Sequence, residues 1–134
     1  MAFKYFKDED GAGIIGFGTT IEKAFEEAAK AMFSLVTDLK KTKPLPEKIE
    51  LECSAESTEE LLIEWLNEVL RESAVHGIIF SKIKIESMKN LRIKGWAKGM
   101  KYEKEIRLEP TYEKVLVGKK NRHFFAQCII KQGG

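Results

Sequence analysis

Two stretches of the chain place their apolar residues three and four positions apart. In the first, Ile21, Ala24, Phe25, Ala28, Met32, Leu35 and Val36 fall on one helical face, with Glu22, Glu26, Glu27 and Lys30 on the other. Thr19-x-x-Glu22 reads as a capping box at its start. In the second, Leu61, Leu62, Trp65, Leu66, Val69 and Leu70 form a broad stripe behind the capping box Ser57-x-x-Glu60. This helix is expected to end at Val75-His76-Gly77, where glycine takes a left-handed cap without steric penalty.

Elsewhere the period is two, the spacing of a strand with one dry face. Residues 3–6 and 14–17 read as short strands around an acidic, glycine-containing turn at 7–13. Ile49, Leu51, Cys53 and Ala55 alternate with Glu50, Glu52 and Ser54. From Ile78 on, Phe80, Ile83, Ile85, Leu91, Ile93 and Trp96 predict a meander turning at Lys89-Asn90. Residues 106–108, 115–117 and 124–130 supply further strands, with residues 118–121 as a hairpin turn. Pro44 and Pro46 stop any helix and mark residues 40–46 as a connector. The expected fold is α+β, a two-layer sandwich of two helices packed on a mostly antiparallel or mixed β-sheet, with residues 1–134 as a single domain. A parallel pairing of residues 14–17 with 49–55 across the first helix stays open.

Composition narrows the function classes more than it identifies one. A chain of 134 residues with 43% hydrophobic and 33% charged residues has enough apolar surface for one core. Only two Gln and three Asn accompany the many Lys and Glu, a balance that recurs in proteins from hot environments. The formal net charge of +2 generates no strong global field toward nucleic acid. Cys53 and Cys128 lie in apolar alternation, away from any C-x-x-C pair or His at metal-site spacing, and read as buried reduced thiols. No run approaches the ~18 apolar residues of a membrane span, and residues 1–6 lack a signal peptide's apolar core, so a cytoplasmic location is expected.

Candidate chemistry is sparse. Asp8-Glu9-Asp10 is a carboxylate cluster whose hard oxygens suit Ca²⁺ or Mg²⁺, but it does not match the twelve-residue calcium-loop pattern and reads as a solvated turn. His76 follows the second helix, where helix-end electrostatics explains it. His123 precedes Phe124 and Phe125 at a strand start. Gly11-x-Gly13-x-x-Gly16 has dinucleotide-loop spacing, yet Ile14-Ile15 reads as strand and the helix begins too late. Lys40, Lys41 and Lys43 form one basic run, and Lys98, Lys101 and Lys104 another beside Tyr102. RNA contact would require the two to meet in space and to interleave with aromatics. No nucleophile, base and orienting group stand together, so the chain is expected not to be an enzyme, with no catalytic, cofactor-binding or metal residue assigned.

The segment Phe17-Gly-Thr-Thr-Ile-Glu-Lys-Ala-Phe-Glu-Glu-Ala-Ala-Lys-Ala-Met-Phe-Ser-Leu-Val-Thr-Asp38 resembles the first helix of the archease family. Ala31 to Asp38, the Gly-Ile-Ile-Phe-Ser run from Gly77 to Ser81, and Thr111-Tyr112 are its most specific parts. The likeness spans nearly the whole chain. It implies a small accessory protein, chaperone-like, for the RNA-splicing ligase of tRNA processing, which joins cyclic-phosphate and 5′-hydroxyl RNA ends. In that role it promotes guanylylation and turnover of the ligase without ligating, and meets RNA only indirectly. The alternative is a divergent protein-binding module with a different partner and no metal site. The family's Asp-His-Thr-Ala-Asp turn aligns with Lys7-Asp8-Glu9-Asp10-Gly11, its near-terminal Asp with Lys131, and the His after Thr-Tyr with Glu113. A lysine adds positive charge where a divalent ion already concentrates it, so the family's metal site is expected to be lost or rebuilt from Asp8 and Asp10.

Overall fold

The computed structural model describes residues 2–41 and 43–133. Eight strands and two α-helices follow one another as β1 (Phe3–Asp8), β2 (Gly11–Gly18), α1 (Ile21–Ser34), β3 (Ile49–Ser54), α2 (Thr58–His76), β4 (Ile78–Lys89), β5 (Arg92–Lys101), β6 (Leu108–Pro110), β7 (Leu116–Lys120) and β8 (His123–Gln132). A short 3-10 turn, Leu39–Lys41, leads out of α1 toward β3. The α+β class is the one the periodicities predict. The strands, however, divide between two sheets, one ordered β1-β2-β8-β6 with β7 also on β8, the other β3-β5-β4.

Every pairing among the described residues is antiparallel. The parallel pairing left open for residues 14–17 and 49–55 does not form, because β2 lies in the larger sheet and β3 in the smaller. The crossover through α1 carries the chain between sheets instead of within one. Helix α1 packs on β2 and β8 of the larger sheet and on β4 of the smaller, while α2 packs on β3 and reaches β6. Between them lies a dry core in which Phe25, Met32, Phe33, Trp65, Leu66, Phe80 and Ile93 are fully buried. Phe33 and Phe80 meet edge-on with centroids 6.0 Å apart, a favoured aromatic geometry.

Local chemistry sets the element ends. The cap of α1 is Thr20, one residue later than the Thr19 motif predicts, and its Oγ1 accepts from the Lys23 amide at 3.2 Å. Leu35 and Val36 lie beyond the last helical turn but still pack against the core. The Ser57 cap of α2 forms as expected, with Oγ accepting from the Glu60 amide at 3.1 Å, and Gly77 closes the helix at φ 62°. Two turns fall later than predicted. Asn90-Leu91 joins β4 to β5 with φ of 53° and 57°, and Asn121-Arg122 joins β7 to β8 with φ of 51° and 69°. Both central residues with positive φ are what a tight two-residue hairpin demands. Among the described residues no helix is long and apolar enough to cross a membrane.

The helical wheel also misplaces Glu26. It is buried, and its Oε2 accepts from the Ile85 amide of β4 at 2.8 Å. Strand β4 is an edge of the smaller sheet, with a register irregularity after Ile85. Glu68 of α2 does the same at the opposite edge, accepting from the Glu52 amide of β3 at 3.0 Å while pairing with Arg71. One carboxylate from each helix therefore covers an amide that an edge strand would otherwise bury unpaired. Glu26→Gln, which keeps a neutral acceptor, is expected to cost about 1 kcal/mol, and Glu26→Leu about 1–3 kcal/mol, read from urea unfolding midpoints at unchanged slope.

Candidate functional site

β8 is the spine of the larger sheet. β2 pairs along one side of it; β6 pairs with residues 130–132 and β7 with residues 123–127 on the other. Between β6 and β7 the chain leaves the sheet, held by Thr111, whose amide and Oγ1 both donate to the Ile129 carbonyl, at 3.0 and 2.9 Å. That excursion projects Glu113 and Lys114 toward the β1–β2 turn and leaves Tyr112 exposed on the side of α2. The turn is tighter than predicted, because Asp8 pairs with Gly11 and only Glu9-Asp10 remain as the loop. The Asp10 amide donates to Asp8 Oδ2 at 3.1 Å, fixing the Asp8 carboxylate inward.

The result is a cluster in which Asp8, Asp10 and Glu113 each offer a carboxylate oxygen, all within 4.8 Å of one another. Asp8 is ion-paired with Lys114, which donates to its Oδ1. This hydrogen bond, with the one from the Asp10 amide, lowers the Asp8 pKa, and Lys114 is correspondingly raised by Asp8. Glu113 is pushed up, chiefly by a hydrogen bond to Asp10 and by the Asp10 charge, with Lys131 pulling the other way. The closeness of the two carboxylates thus favours the protonated form of Glu113. The signs are opposite. The Asp8 contribution to stability is present above the ordinary aspartate pKa and fades as pH falls through its lowered folded value, whereas the Asp10–Glu113 contact becomes repulsive as pH rises through the raised Glu113 value. Asp10→Asn is expected to return Glu113 to the ordinary glutamate range, which a carboxyl-carbon NMR titration reads directly.

Of the residues singled out by sequence, Asp8 and Asp10 come together here. Glu113 joins them across more than a hundred residues of chain, a proximity no local pattern encodes. Gly11 and Lys131, which with Lys7 are the positions the resemblance would align with the family's carboxylates, adjoin each other: a Cβ on Gly11 would lie 2.3 Å from the Ile130 carbonyl oxygen and 3.2 Å from the Lys131 Cα. The β1–β2 turn and the end of β8 therefore meet at one corner, which carries both carboxylates and ammonium groups. Three hard carboxylates suit a divalent cation, but Lys114 already neutralises Asp8 and Lys131 adds a second positive charge beside Glu113. The residues present fit an ion-pair network of Asp8 and Glu113 with Lys114 and Lys131 better than they fit Ca²⁺ or Mg²⁺.

The other candidates separate from this cluster. His76 ends α2 with Nε2 3.5 Å from Glu72 Oε1, the helix-end role expected of it. His123 opens β8, its Nδ1 3.2 Å from the Asn121 carbonyl oxygen, with no carboxylate bracing it. The Gly11-x-Gly13-x-x-Gly16 spacing lies in β2 and serves packing: a Cβ on Gly16 would come within 2.3 Å of the Ala24 oxygen and the Ala28 nitrogen of α1. Burial pushes the thiols of Cys53 and Cys128 up to about 12, which makes them poor nucleophiles. Lys101 and Lys104 stay exposed, whereas Lys98 faces Trp96 and not Tyr102.

Similarity to known proteins agrees with the fold. The model of the Archease protein family (MTH1598/TM1083) matches residues 3–130. The chain is 31% identical to the protein archease of Methanosarcina mazei, over 96% of this chain and 94% of the relative. It is 28% identical to that of Sulfolobus acidocaldarius, over 96% of each. Its fold superimposes on the solution structure of Methanobacterium thermoautotrophicum protein 1598 with a TM-score of 0.79 and 26% identity, covering 98% of this chain and 99% of the other. It also superimposes on a Thermotoga maritima archease described as a possible chaperone, with a TM-score of 0.65 at 14% identity, covering 96% of each. The chain belongs to the archease protein family.

Proposed function

We propose that this protein is an accessory factor that activates an RNA-splicing ligase, promoting its guanylylation and repeated turnover, and does not itself join RNA. Family membership over residues 3–130 carries this reading. The fold is consistent with action by contact: the α+β body carries an acidic corner at the β1–β2 turn, and no nucleophile–base pair is assembled among the described residues. Exposed Tyr112 extends that corner toward α2, its pKa raised first by partial desolvation and then by the charges of Glu64 and Glu60. An aromatic ring beside carboxylates is a suitable anchor for a protein partner. Adding the purified chain to its cognate ligase in less than equimolar amount is expected to raise guanylylated ligase and the number of turnovers several-fold; unchanged turnover would remove the proposal.

A second reading, a binding or chaperone-like module with another partner, is favoured by one observation. Gly11 and Lys131 occupy the aligned positions of the family's carboxylates, so any family role that needs the metal would be lost with them. The ligase assay run with and without Ca²⁺ separates the two, since stimulation independent of the ion supports the first.

A further inference from the structure

The outer face of the smaller sheet is chemically unlike the rest of the surface. Its inner face is buried under the helices through Ile49, Leu51, Ile83, Ile85, Ile93 and Ala97, so the alternate residues point to solvent. Register aligns them in rows: Lys82 opposes Lys98, Lys84 and Glu50 flank Trp96, Glu52 and Ser87 flank Lys94, and Ser54 and Lys89 flank Arg92. Lys48, just before β3, completes the row of Lys98 and Lys82. Seven cations thus stand against three carboxylates, Glu50, Glu52 and Glu86, an excess greater than the chain's formal net charge of +2.

At the centre sits half-buried Trp96. The ammonium groups of Lys48, Lys98 and Lys82 approach its ring at 4.5, 5.5 and 5.7 Å from the centroid. Among the described residues none of the seven cations forms an ion pair. Like charges directly opposite on a sheet repel, so this row costs stability in the free protein and is relieved by a polyanion. The amide of Leu45 bonds to the Gly99 carbonyl at 2.8 Å, which lays the connector carrying Lys43 along the same end of β5. Of the two basic runs seen in the sequence only Lys98 reaches an aromatic, Trp96, where Lys48 and Lys82, which belong to neither run, join it.

We propose that this face binds single-stranded RNA directly, a base stacking on the Trp96 indole while Lys48, Lys82, Lys84 and Lys98 contact flanking phosphates. An aromatic platform on an open sheet face with surrounding ammonium groups matches the two needs of a single strand, unpaired π-faces and a regular phosphate charge. An acidic protein surface would satisfy the lysines but leave the indole without a stacking partner. The face lies on the sheet remote in sequence from the acidic turn, and the proposal does not rest on the ligase partnership. It replaces the expectation that RNA is met only indirectly.

The test uses the full chain and a fluorescently labelled 12-nucleotide oligouridylate, followed by anisotropy. Binding is expected with Kd of about 1–100 μM at 0.15 M salt. Trp96→Leu is expected to weaken it roughly 5- to 150-fold, and Trp96→Phe, which keeps an aromatic face, to restore most of it. Lys82→Gln/Lys98→Gln is expected to flatten the salt dependence by about 1.4 in slope, at ~0.7 per phosphate contact. Variants with unchanged thermal melts are compared, and Trp65, being fully buried, leaves Trp96 to report quenching in the parent. Absence of binding at 0.05 M salt overturns the proposal. So does equal binding by Trp96→Leu, or equal affinity for duplex RNA or polyglutamate, either of which would make the face a general acceptor of anions.

Discussion

Trp65→Ala is expected to lower stability by about 3–5 kcal/mol, the largest loss of any single change considered. Trp65 has no solvent exposure and stands where α1, α2 and the sheets converge. Its indole nitrogen donates to the Phe25 carbonyl at 3.1 Å, tying the middle of α2 to α1 across 40 residues of chain. Truncation empties the centre of the core, and the glycine-lined contact of β2 with α1 gives the helices little room to settle into the gap. With domains of this size stable by only about 5–15 kcal/mol, the loss removes a large part of the total. Trp65→Phe retains most of the apolar area and is expected to cost about 1–2 kcal/mol through the lost hydrogen bond and the smaller ring. The two are separated by urea unfolding monitored at 222 nm, so that loss of the indole does not change the probe. Equal midpoints for Trp65→Ala and the parent would contradict the placement of this residue at the core.

The elements of this fold were readable because each carries a local period. Trp65 sits in a 3.6-residue stripe, Ile93 in a two-residue alternation, and Ser57 and Gly77 in capping positions whose chemistry depends only on neighbours. Glu26 was not readable in that way. On a helical wheel it belongs with Glu22 and Glu27, and only the arrival of the β4 edge, 59 residues later, makes its carboxylate a buried acceptor. The same limit explains the two sheets. Alternation identifies β2 and β3 as strands but says nothing of which neighbours they choose, and the chain between them is long enough for either sheet.

The two surfaces of functional interest differ in how far sequence could reach them. Asp8 and Asp10 are adjacent in the chain and visible as an acidic turn, while Glu113 and Lys114 reach them only because Thr111 anchors the excursion to the Ile129 carbonyl. At Trp96 the obstacle was register. Lys82 and Lys98 come from β4 and β5 and Lys48 from the residue before β3, and a shift of one residue in the register of either strand would carry its lysine to the other face. The run beside Tyr102 looked more basic in one dimension, yet the aromatic that gathers lysines is the one two positions before Lys98.

Lys131→Asp combined with Lys114→Met is expected to turn the acidic corner into a cation site. The parent should show a change in melting temperature of less than about 1 °C in 1 mM CaCl₂, because an ammonium already holds Asp8 and a second faces Glu113. Lys131→Asp replaces a positive with a negative charge beside Gly11, and Lys114→Met frees Asp8 with a side chain of similar reach. A carboxylate at Gly11 itself is the poorer choice, since its Cβ would collide with the Ile130 carbonyl. Four oxygens without competing ammonium groups then converge, and water completes the six to eight ligands calcium takes. A ligand that binds only the folded state at ten to a hundred times its Kd raises the melting temperature of such a domain by about 4–12 °C. Without calcium the same variant should melt below the parent, as four carboxylates repel. A calcium-dependent rise as large in the parent would show that Lys114 yields to the ion and that the corner binds metal as it stands; no rise in the double variant would show that geometry, not charge, excludes it.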